Sequence, residues 1–396
     1  MRAYPQSLTA PTLRIMVVAD QYEPMVGGVP AVTRDLAHGL ASRGHAVALV
    51  VPSPSMAAGI SARDRVSIHY QGSVRWPWYD GMRLSRLQHA GRLIASFAPD
   101  VVHIHSPVTL GITARRGACR RRIPVVYTNH YLPANVQPSL TSRSSALDAL
   151  FYRYIVGFSN RCTQVTAPTA TALRLLTEQG LTVPSRVMSN GVDLLTYRPG
   201  AGDEQLRQRY GLRADRPLIL SVGRLSPEKR LEVVLDAAAQ LGQDAQLAIA
   251  GSGPEEAKLR ARAERLGLSG VVRFLGFVPA ADLPGLYRLA DIFAIASEAE
   301  LQSLTTMEAM ATGLPVVAVD ACALGELVRD GHNGFLSRPG SAGDLAAGLD
   351  RLLSDEGLRA RMSVASLALI SGHERQRWLA EWEDLYISLS TRSGGL

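Results

Sequence analysis

The stretch ASEAELQSLTTMEAMATGLPVVAVD, residues 296–320, places Glu300 and Glu308 on either side of a Ser- and Thr-rich segment, where a predicted strand ends and a predicted helix begins. The apolar run Ile292–Ala296 predicts a buried strand, and Thr306–Ala311 predicts the helix that follows it. Glu300 and Glu308 therefore lie just beyond the carboxyl end of a strand. Ligands bind at this edge of open α/β sheets, so the two carboxylates are a candidate binding site.

Strands alternate with helical patterns along the rest of the chain, which is typical of parallel sheets with crossover helices. The ten predicted strands are Arg14–Ala19, Ala46–Val51, Val101–His105, Val125–Thr128, Gln164–Ala167, Leu218–Val222, Gln246–Ala250, Val271–Leu275, Ile292–Ala296 and Val316–Val319. A Gly-, Pro- and Asp-rich segment at 189–204 is the predicted linker between the two groups of five. The sequence thus predicts an α/β protein with two doubly wound, Rossmann-like domains, residues 1–194 and 195–372.

The C-terminal residues 373–396 are predicted to form a helix. Trp378, Trp382, Leu385 and Tyr386 recur at helical spacing, so this helix is expected to bury an aromatic stripe and to complete the first domain.

Composition limits the class of protein. A length of 396 residues fits two domains, and 46% hydrophobic with 6% aromatic residues fits an α/β protein. Cys119, Cys162 and Cys322 have neither disulfide nor zinc spacing, which favours a reducing, cytoplasmic location. No run approaches the ~20 apolar residues of a membrane span, and the N-terminus has no export signal.

The net charge of +7 is unevenly distributed. Residues 1–190 carry 20 Lys and Arg against 8 Asp and Glu, whereas residues 191–396 carry 22 against 27. A domain with a charge of +12 could contact an anionic membrane surface peripherally, at the inner face. The alternative for any one cluster, such as ARRGACRRR at 114–122, is a solvated face. No nucleic acid partner is expected.

Two glycine-containing turns are candidate phosphate sites. In SVGRLSPEKRLEVVLDA, 221–237, Gly223 follows a strand, Ser226 is a predicted helix N-cap, and Arg224 and Lys229 flank that helix start. The alternative is an ordinary capped helix with two solvated cations. A second strand passes into a helix through Gly27 and Gly28, where a backbone could approach a ligand or simply turn. In IAGSGPEEAKL the lone G-x-G predicts a turn.

Three histidines, His103, His105 and His130, lie at or just beyond predicted strand ends. Such histidines commonly pack in cores, but His130 leads into a polar loop on the ligand edge of its sheet. The sequence contains no Asp-x-Asp and no cluster with metal-ligand spacing, which disfavours a metal-dependent transferase. Taken singly, Glu300 could be a surface carboxylate, and Glu308 could form a capping box with Thr305.

The order of these motifs resembles retaining glycosyltransferase family 4, which has the GT-B fold of two Rossmann-like domains facing across a cleft. The resemblance covers the chain after Leu13. Its motifs are the Gly27-Gly28 turn, His130 after the fourth strand, NGVD at 190–193, GRLSPEK at 223–229, GSGPE at 251–255, and Glu300 and Glu308 followed by AMATGLPVVA.

The resemblance implies a role for each matching residue. Arg224 and Lys229 would hold the donor diphosphate, Glu308 the ribose hydroxyls and Glu300 the hydroxyls of the donor sugar. The backbone of Gln302, Ser303, Leu304 and Thr305 would approach the phosphate and sugar. The other implied donor contacts are Gly27, Gly28, Asn190, Gly223 and Val278, the last beside the base. His130 would lie by the transferred sugar, and the implied catalytic residues are His130, Arg224, Lys229 and Glu300.

The sequence departs from the family at one point. Leu301, Gln302 and Ser303 occupy the places where Gly-Phe-Gly is commonest. Gln and a small residue here resemble the subgroup that makes glucosyl-diacylglycerols, which favours a lipid acceptor. Against it, the segment at 139–161 is more polar than the membrane-binding helix of that subgroup.

These observations predict a metal-independent enzyme without a cofactor that moves a hexose from a nucleotide sugar, expected to be a UDP-sugar, to a hydroxyl of a lipid or small-molecule acceptor. A soluble natural-product acceptor such as an aminocyclitol is one alternative, and a nucleotide-sugar epimerase of the same fold is another. The missing G-x-G-x-x-G and the glutamate pair disfavour a Rossmann dehydrogenase.

Overall fold

The computed structural model describes residues 11–25, 27–76, 83–85, 90–136 and 145–393. Its strands are β1 (Arg14–Val18), β2 (Ala46–Pro52), β3 (Gly59–Arg63), β4 (Val66–Gln71), β5 (Ser73–Arg75), β6 (Arg83–Ser85), β7 (Val101–Ile104), β8 (Val125–Thr128), β9 (Gln164–Ala167), β10 (Ser185–Val187), β11 (Leu218–Val222), β12 (Gln246–Ala250), β13 (Val272–Gly276), β14 (Ile292–Ile295), β15 (Val316–Val319) and β16 (Gly334–Ser337). All ten predicted strands are present, with ends that differ by one residue at most.

The helices cover the faces of two sheets. They are α1 (Gly28–Ser42), α2 (Ala90–Phe97), α3 (Thr109–Cys119), α4 (Pro133–Val136), α5 (Ser145–Ser159), α6 (Ala170–Glu178), α7 (Glu204–Arg209), α8 (Leu231–Leu241), α9 (Glu256–Arg265), α10 (Leu283–Leu289), α11 (Leu304–Ala311), α12 (Leu324–Leu327), α13 (Ala342–Ser354), α14 (Glu356–Ile370) and α15 (Arg375–Ser393). Each sheet has an apolar cluster on both of its faces, as expected when helices cover both faces of a parallel sheet.

The first sheet has the order β10-β9-β8-β7-β1-β2-β4-β3, and only the edge strand β3 is antiparallel to its neighbour. The second sheet is parallel throughout, with the order β13-β12-β11-β14-β15-β16. Chain order reverses beside β1 in the first sheet and between β11 and β14 in the second. Such switch points open a crevice at the carboxyl ends of the strands, where ligands bind. The fold is therefore the predicted GT-B arrangement of two Rossmann-like domains.

The C-terminal helix α15 returns to the first sheet and packs on α1. Trp378, Trp382 and Tyr386 are buried in one apolar cluster with Leu36 and Leu40 of α1, so the predicted aromatic stripe is a packing surface. On the same helix, the buried carboxylate of Glu383 accepts hydrogen bonds from Arg43 and His45. This helix therefore belongs to the core of the first domain.

The chain crosses between the domains at two adjacent places. Val192 in the linker forms an isolated parallel bridge with Glu374, just before α15 begins. Val192 N donates to the His373 carbonyl, and Arg375 N donates to the Val192 carbonyl. The two crossing segments thus support each other.

Candidate donor site

The switch point of the second sheet brings together the candidate residues of the GRLSPEK and Glu300 segments. Gly223 and Arg224 directly follow β11, and Glu300 lies beyond the end of the neighbouring strand β14. The Lys229 ammonium donates to the Glu300 carboxylate with an Nζ–Oε1 distance of 2.5 Å. These side chains line a narrow pocket together with Ala296. Residues 71 positions apart in sequence thus form one charged pair at the ligand edge of the sheet.

A helical turn does begin after Ser226, but it is not the start of the predicted α-helix. Pro227–Lys229 form a single 3-10 turn, Arg230 has a left-handed backbone with φ 50°, and α8 begins only at Leu231. The Ser226 hydroxyl binds the Glu228 carboxylate at 2.6 Å instead of capping a backbone amide. Consequently the N-terminus of an α-helix is not present at Ser226, and the charges of Arg224 and Lys229 remain as the features that favour a phosphate there.

Two glycines that the sequence indicated only as a turn support this loop. Gly251 has φ +143°, and a Cβ on it would lie 1.8 Å from the Gly223 carbonyl oxygen. A Cβ on Gly253 would lie 2.3 Å from the Leu225 carbonyl oxygen. The backbone after β12 thus packs directly on the backbone after β11, a contact that only glycine permits. Sequence spacing gave no sign of this contact because it joins loops of two different strands.

Helix α11 begins with a polar cap at the same sheet edge. Ser303 is its N-cap, and the Ser303 hydroxyl accepts from the Thr306 amide at 3.2 Å. The helix therefore starts two residues earlier than predicted, and the amides of Leu304 and Thr305 lie in the first turn, outside its internal hydrogen bonding. A Cβ placed on Gly28 would lie 3.9 Å from Leu304. The Gly-Gly turn of the first domain therefore faces the start of α11.

The Glu308 carboxylate is held by two tyrosines. Tyr287 donates its hydroxyl to Glu308 Oε2 at 2.8 Å, and the Tyr197 side chain is a second hydrogen-bond partner. Burial raises the pKa of Glu308 to about 7, although these hydrogen bonds oppose the rise. Because Ser303 is the N-cap, Glu308 cannot form the capping box with Thr305 that the sequence allowed.

Gln302, in the segment between β14 and α11, connects this segment to the linker. Its side-chain oxygen accepts from the Asn190 amide at 2.7 Å, and its Nε2 donates to the Ser189 hydroxyl at 2.8 Å. Ser189 in turn lies 2.6 Å from His373 Nδ1. The two predicted donor residues Gln302 and Asn190 are therefore neighbours, but both polar ends of the Gln302 side chain are hydrogen-bonded to the linker.

Val278 lies beyond β13, on the far side of β12 and β11 from Glu300. Its side chain is buried in the apolar core of the second domain, whereas the neighbouring Phe277 is 59% exposed. Any contact of position 278 with a base would therefore involve its backbone.

His130 lies at the ligand edge of the first sheet, where Asn129 separates it from the end of β8. Its Nε2 is 2.9 Å from Nδ1 of His105, and the two rings are stacked with centroids 5.2 Å apart. Burial lowers the pKa of His130 to about 4, so the ring is neutral at physiological pH.

Within the described ranges, no group of three or more His, Cys, Asp or Glu side chains could hold a metal ion. The same part of the chain contains no helix long and apolar enough to cross a bilayer.

Two family descriptions match the two halves of the chain. Residues 26–194 match "Glycosyltransferase Family 4", and residues 202–366 match "Glycosyl transferases group 1". A GDP-mannose-dependent alpha-mannosyltransferase of Mycolicibacterium smegmatis is 30% identical over 361 residues, which cover 89% of this chain and 92% of that protein. The chain is a family 4 glycosyltransferase.

Other relatives of this glycosyltransferase confirm the subgroup resemblance and the fold. The alpha-monoglucosyldiacylglycerol synthase of Streptococcus pneumoniae is 27% identical over 334 residues, covering 82% of this chain and 75% of that one. Among solved structures, Anabaena HepE in complex with UDP-glucose superposes with a TM-score of 0.77 at 23% identity. That alignment covers 94% of this glycosyltransferase and 99% of HepE.

Proposed function

We propose that this glycosyltransferase moves a hexose from a UDP-sugar to a hydroxyl of its acceptor with retention of anomeric configuration. The observation that carries the proposal is the Lys229–Glu300 pair at the switch point of the second sheet, with Glu308 on the adjoining helix. UDP-glucose is the ligand of the HepE complex, which supports a UDP-sugar. The donor named for the mycobacterial relative is GDP-mannose, so guanine nucleotides are the competing donors to test.

Each charged side chain has a distinct role in the proposed donor complex. Arg224 and Lys229 bind the diphosphate and stabilise the charge that grows on it as the sugar leaves. Glu300 accepts hydrogen bonds from the sugar, and Glu308 accepts them from the ribose. The amides of Leu304 and Thr305 donate to a phosphate, because the first turn of a helix favours anions.

The proposed reaction takes place on one face of the sugar. The bond from the anomeric carbon to the diphosphate oxygen breaks, and the acceptor oxygen bonds to that carbon from the same side. The proton of the acceptor hydroxyl passes to the departing diphosphate oxygen. UDP leaves with that proton, and no metal takes part.

In this proposal residues 1–194 and the C-terminal residues 373–396 form the acceptor side, and residues 195–372 form the donor side. An open groove of about 620 Å³ lies beyond the ends of β1 and β2 in the first domain. It is lined by Glu23, Pro24, Ser53, Pro54, Ala57, Ala58, Gly59 and Tyr70. Its volume is in the range of small-molecule sites.

The walls of this groove favour a neutral amphiphilic acceptor. Most lining residues are apolar, and two exposed apolar side chains adjoin them, Met56 at 48% and Ile60 at 74% exposure. An acyl chain could pack against such a surface. The pneumococcal relative is named as an alpha-monoglucosyldiacylglycerol synthase, which also supports a lipid acceptor. The second candidate is a soluble aminocyclitol, because Glu23 is the charged residue of the lining and a carboxylate could pair with an ammonium.

The donor half of the proposal is tested with Lys229→Ala, and the matched control is Lys258→Ala. Lys258 is the other lysine of the chain and is exposed on α9. We expect Lys229→Ala to lower kcat/KM for UDP-hexose by about 10²-fold or more with an unchanged circular dichroism spectrum. Lys258→Ala is expected to keep wild-type activity. Full activity in Lys229→Ala would refute the site.

The acceptor half is tested by co-sedimentation with anionic vesicles at low and high salt, followed by UDP-hexose transfer to diacylglycerol in the vesicles. A lipid acceptor predicts salt-sensitive binding and transfer. Ile60→Glu should reduce this transfer without changing UDP affinity, whereas Leu195→Glu, which alters an exposed side chain of the linker, should not. Transfer to soluble aminocyclitols without vesicle binding would select the second candidate.

A further inference from the structure

Three histidine rings meet in the first domain and form what we call the histidine cluster, composed of His103, His105 and His130. His103 lies in β7, His105 directly beyond that strand, and His130 beyond the adjacent strand β8. The rings of His103 and His105 are 4.1 Å apart, and those of His105 and His130 are 5.2 Å apart. His103 and His105 are fully buried, and His130 is partly exposed.

Burial lowers the pKa of all three histidines, so each ring is neutral and carries a single N–H. The hydrogen bonds then decide which nitrogen of each ring carries it.

Both nitrogens of His103 have partners. Its Nδ1 is 2.6 Å from the Tyr386 hydroxyl of α15, and its Nε2 is 2.7 Å from the Thr128 hydroxyl. Hydroxyl groups can donate or accept, so this ring is satisfied in either tautomer. His103 therefore connects β7 to α15 through Tyr386, and neither of its hydrogen bonds determines the tautomer of His105 or His130.

His105 differs from His103 because only one of its nitrogens is paired. Nδ1 is 2.9 Å from His130 Nε2, and the buried Nε2 has no hydrogen-bond partner among the described residues. If the proton were on Nε2, a buried N–H would be unpaired, which native structures avoid. The favoured arrangement puts the His105 proton on Nδ1, from which it is donated to His130 Nε2.

This arrangement determines the tautomer of His130. With Nε2 accepting a hydrogen bond, the single proton of the neutral His130 ring is on Nδ1. No described residue hydrogen-bonds to that Nδ1, and His130 is the partly exposed ring of the cluster. The group available to a ligand is therefore an N–H donor and not a basic nitrogen.

We propose that His105 is a positioning residue that fixes His130 as the Nδ1–H tautomer, so that His130 donates a hydrogen bond to an oxygen of the transferred sugar. The sugar contact rests on the proposed function, whereas the tautomer does not. His105 itself touches no substrate and acts only through His130.

The direct test is long-range ¹H–¹⁵N correlation NMR of protein labelled with ¹⁵N-histidine, which distinguishes protonated from bare ring nitrogens. We expect His130 in the unmodified protein to show a protonated Nδ1 and a bare Nε2. His130 resonances are assigned by their loss in His130→Gln. A protonated Nε2 on His130 would overturn the proposal, and this result needs no His105 variant to fold.

Two substitutions at His105 separate positioning from packing. His105→Asn keeps an N–H donor near the former Nδ1 and should retain the His130 tautomer and most of the activity. His105→Phe fills the space without a donor and should produce mixed His130 tautomers. Its kcat should fall by about tenfold or more with little change in the donor KM. His332→Phe, at an exposed site, is the control and should change neither readout.

An unchanged His130 tautomer in folded His105→Phe would contradict the proposal, as would equal loss of activity in the Asn and Phe variants with native tautomers. If the unmodified protein transfers no sugar from any nucleotide sugar, the proposed function fails, yet the NMR result still decides whether His105 sets the tautomer.

Discussion

Substituting Glu308 by Gln should abolish donor binding and at the same time stabilise the folded protein at neutral and alkaline pH. The carboxyl group is partly buried against Tyr287 and Tyr197, and burial raises its pKa from 4.5 to about 7. A raised pKa means that ionising Glu308 costs more in the folded than in the unfolded chain. Gln has nearly the same shape and remains neutral at every pH. Its amide can accept from one tyrosine and donate to the other.

The expected magnitude follows from the two pKa values. Below pH 4.5 the carboxyl is protonated in both states, so it contributes no difference. Between pH 4.5 and 7 only the unfolded chain ionises, and the stability of the wild type falls as the pH rises. Above pH 7 the penalty is constant, and the shift from 4.5 to about 7 corresponds to about 3 kcal/mol.

Urea-induced unfolding followed by far-ultraviolet circular dichroism at pH 4.5, 6 and 8 measures this difference. The advantage of Glu308→Gln over wild type should be near zero at pH 4.5 and about 3 kcal/mol at pH 8. Glu264→Gln, at an exposed position of α9, controls for the loss of a charge and should show no such trend. A Gln variant that is less stable than wild type at pH 8, or a difference independent of pH, would refute the reasoning.

Three further substitutions test the support of the site. Gly251→Ala should abolish UDP binding in calorimetry because its Cβ would meet a carbonyl 1.8 Å away, whereas Gly270→Ala, with open space around it, should bind normally. Glu326→Ala removes a carboxylate of α12 that accepts two backbone N–H groups at the start of α6, with distances of 2.7 and 3.0 Å. Steady-state kinetics should show kcat/KM about tenfold lower with both domains still folded; unchanged kinetics would exclude a role for this interdomain contact. Glu383→Ala leaves the buried His45 Nε2 without its carboxylate partner and should lower the stability of the first domain by about 1–3 kcal/mol in unfolding monitored by tryptophan fluorescence, and unchanged stability would contradict this.

The sequence predicted the strands with continuous apolar runs well and missed six other strands. Buried strands such as Val125–Thr128 and Val316–Val319 are continuous apolar runs bounded by turn residues, so their pattern is unambiguous. The strands that were not predicted are β3, β4, β5, β6, β10 and β16. β3 is exposed along its whole length and β10 has no buried residue, so neither shows the apolar pattern of a core strand.

In the candidate donor site, the sequence predicted which side chains lie at strand ends. It did not predict the groups with which they form hydrogen bonds and ion pairs. That Glu300 and Lys229 share one sheet edge follows from topology, and the structure adds that they pair with each other. The sequence did not predict that a left-handed residue, Arg230, separates the 3-10 turn after Ser226 from α8. The tyrosines around Glu308 could not be predicted, since Tyr197 lies in the linker and Tyr287 in a separate helix.

Calorimetric titration with UDP in the presence of EDTA tests the central claim most directly, because it needs neither the acceptor nor the sugar to be known. We predict that the wild type binds UDP at one site per chain without metal, more tightly than GDP, and that Lys229→Ala loses most of this affinity while Lys258→Ala retains it. Absence of UDP binding, binding that requires a divalent cation, or equal affinity in Lys229→Ala would contradict the account.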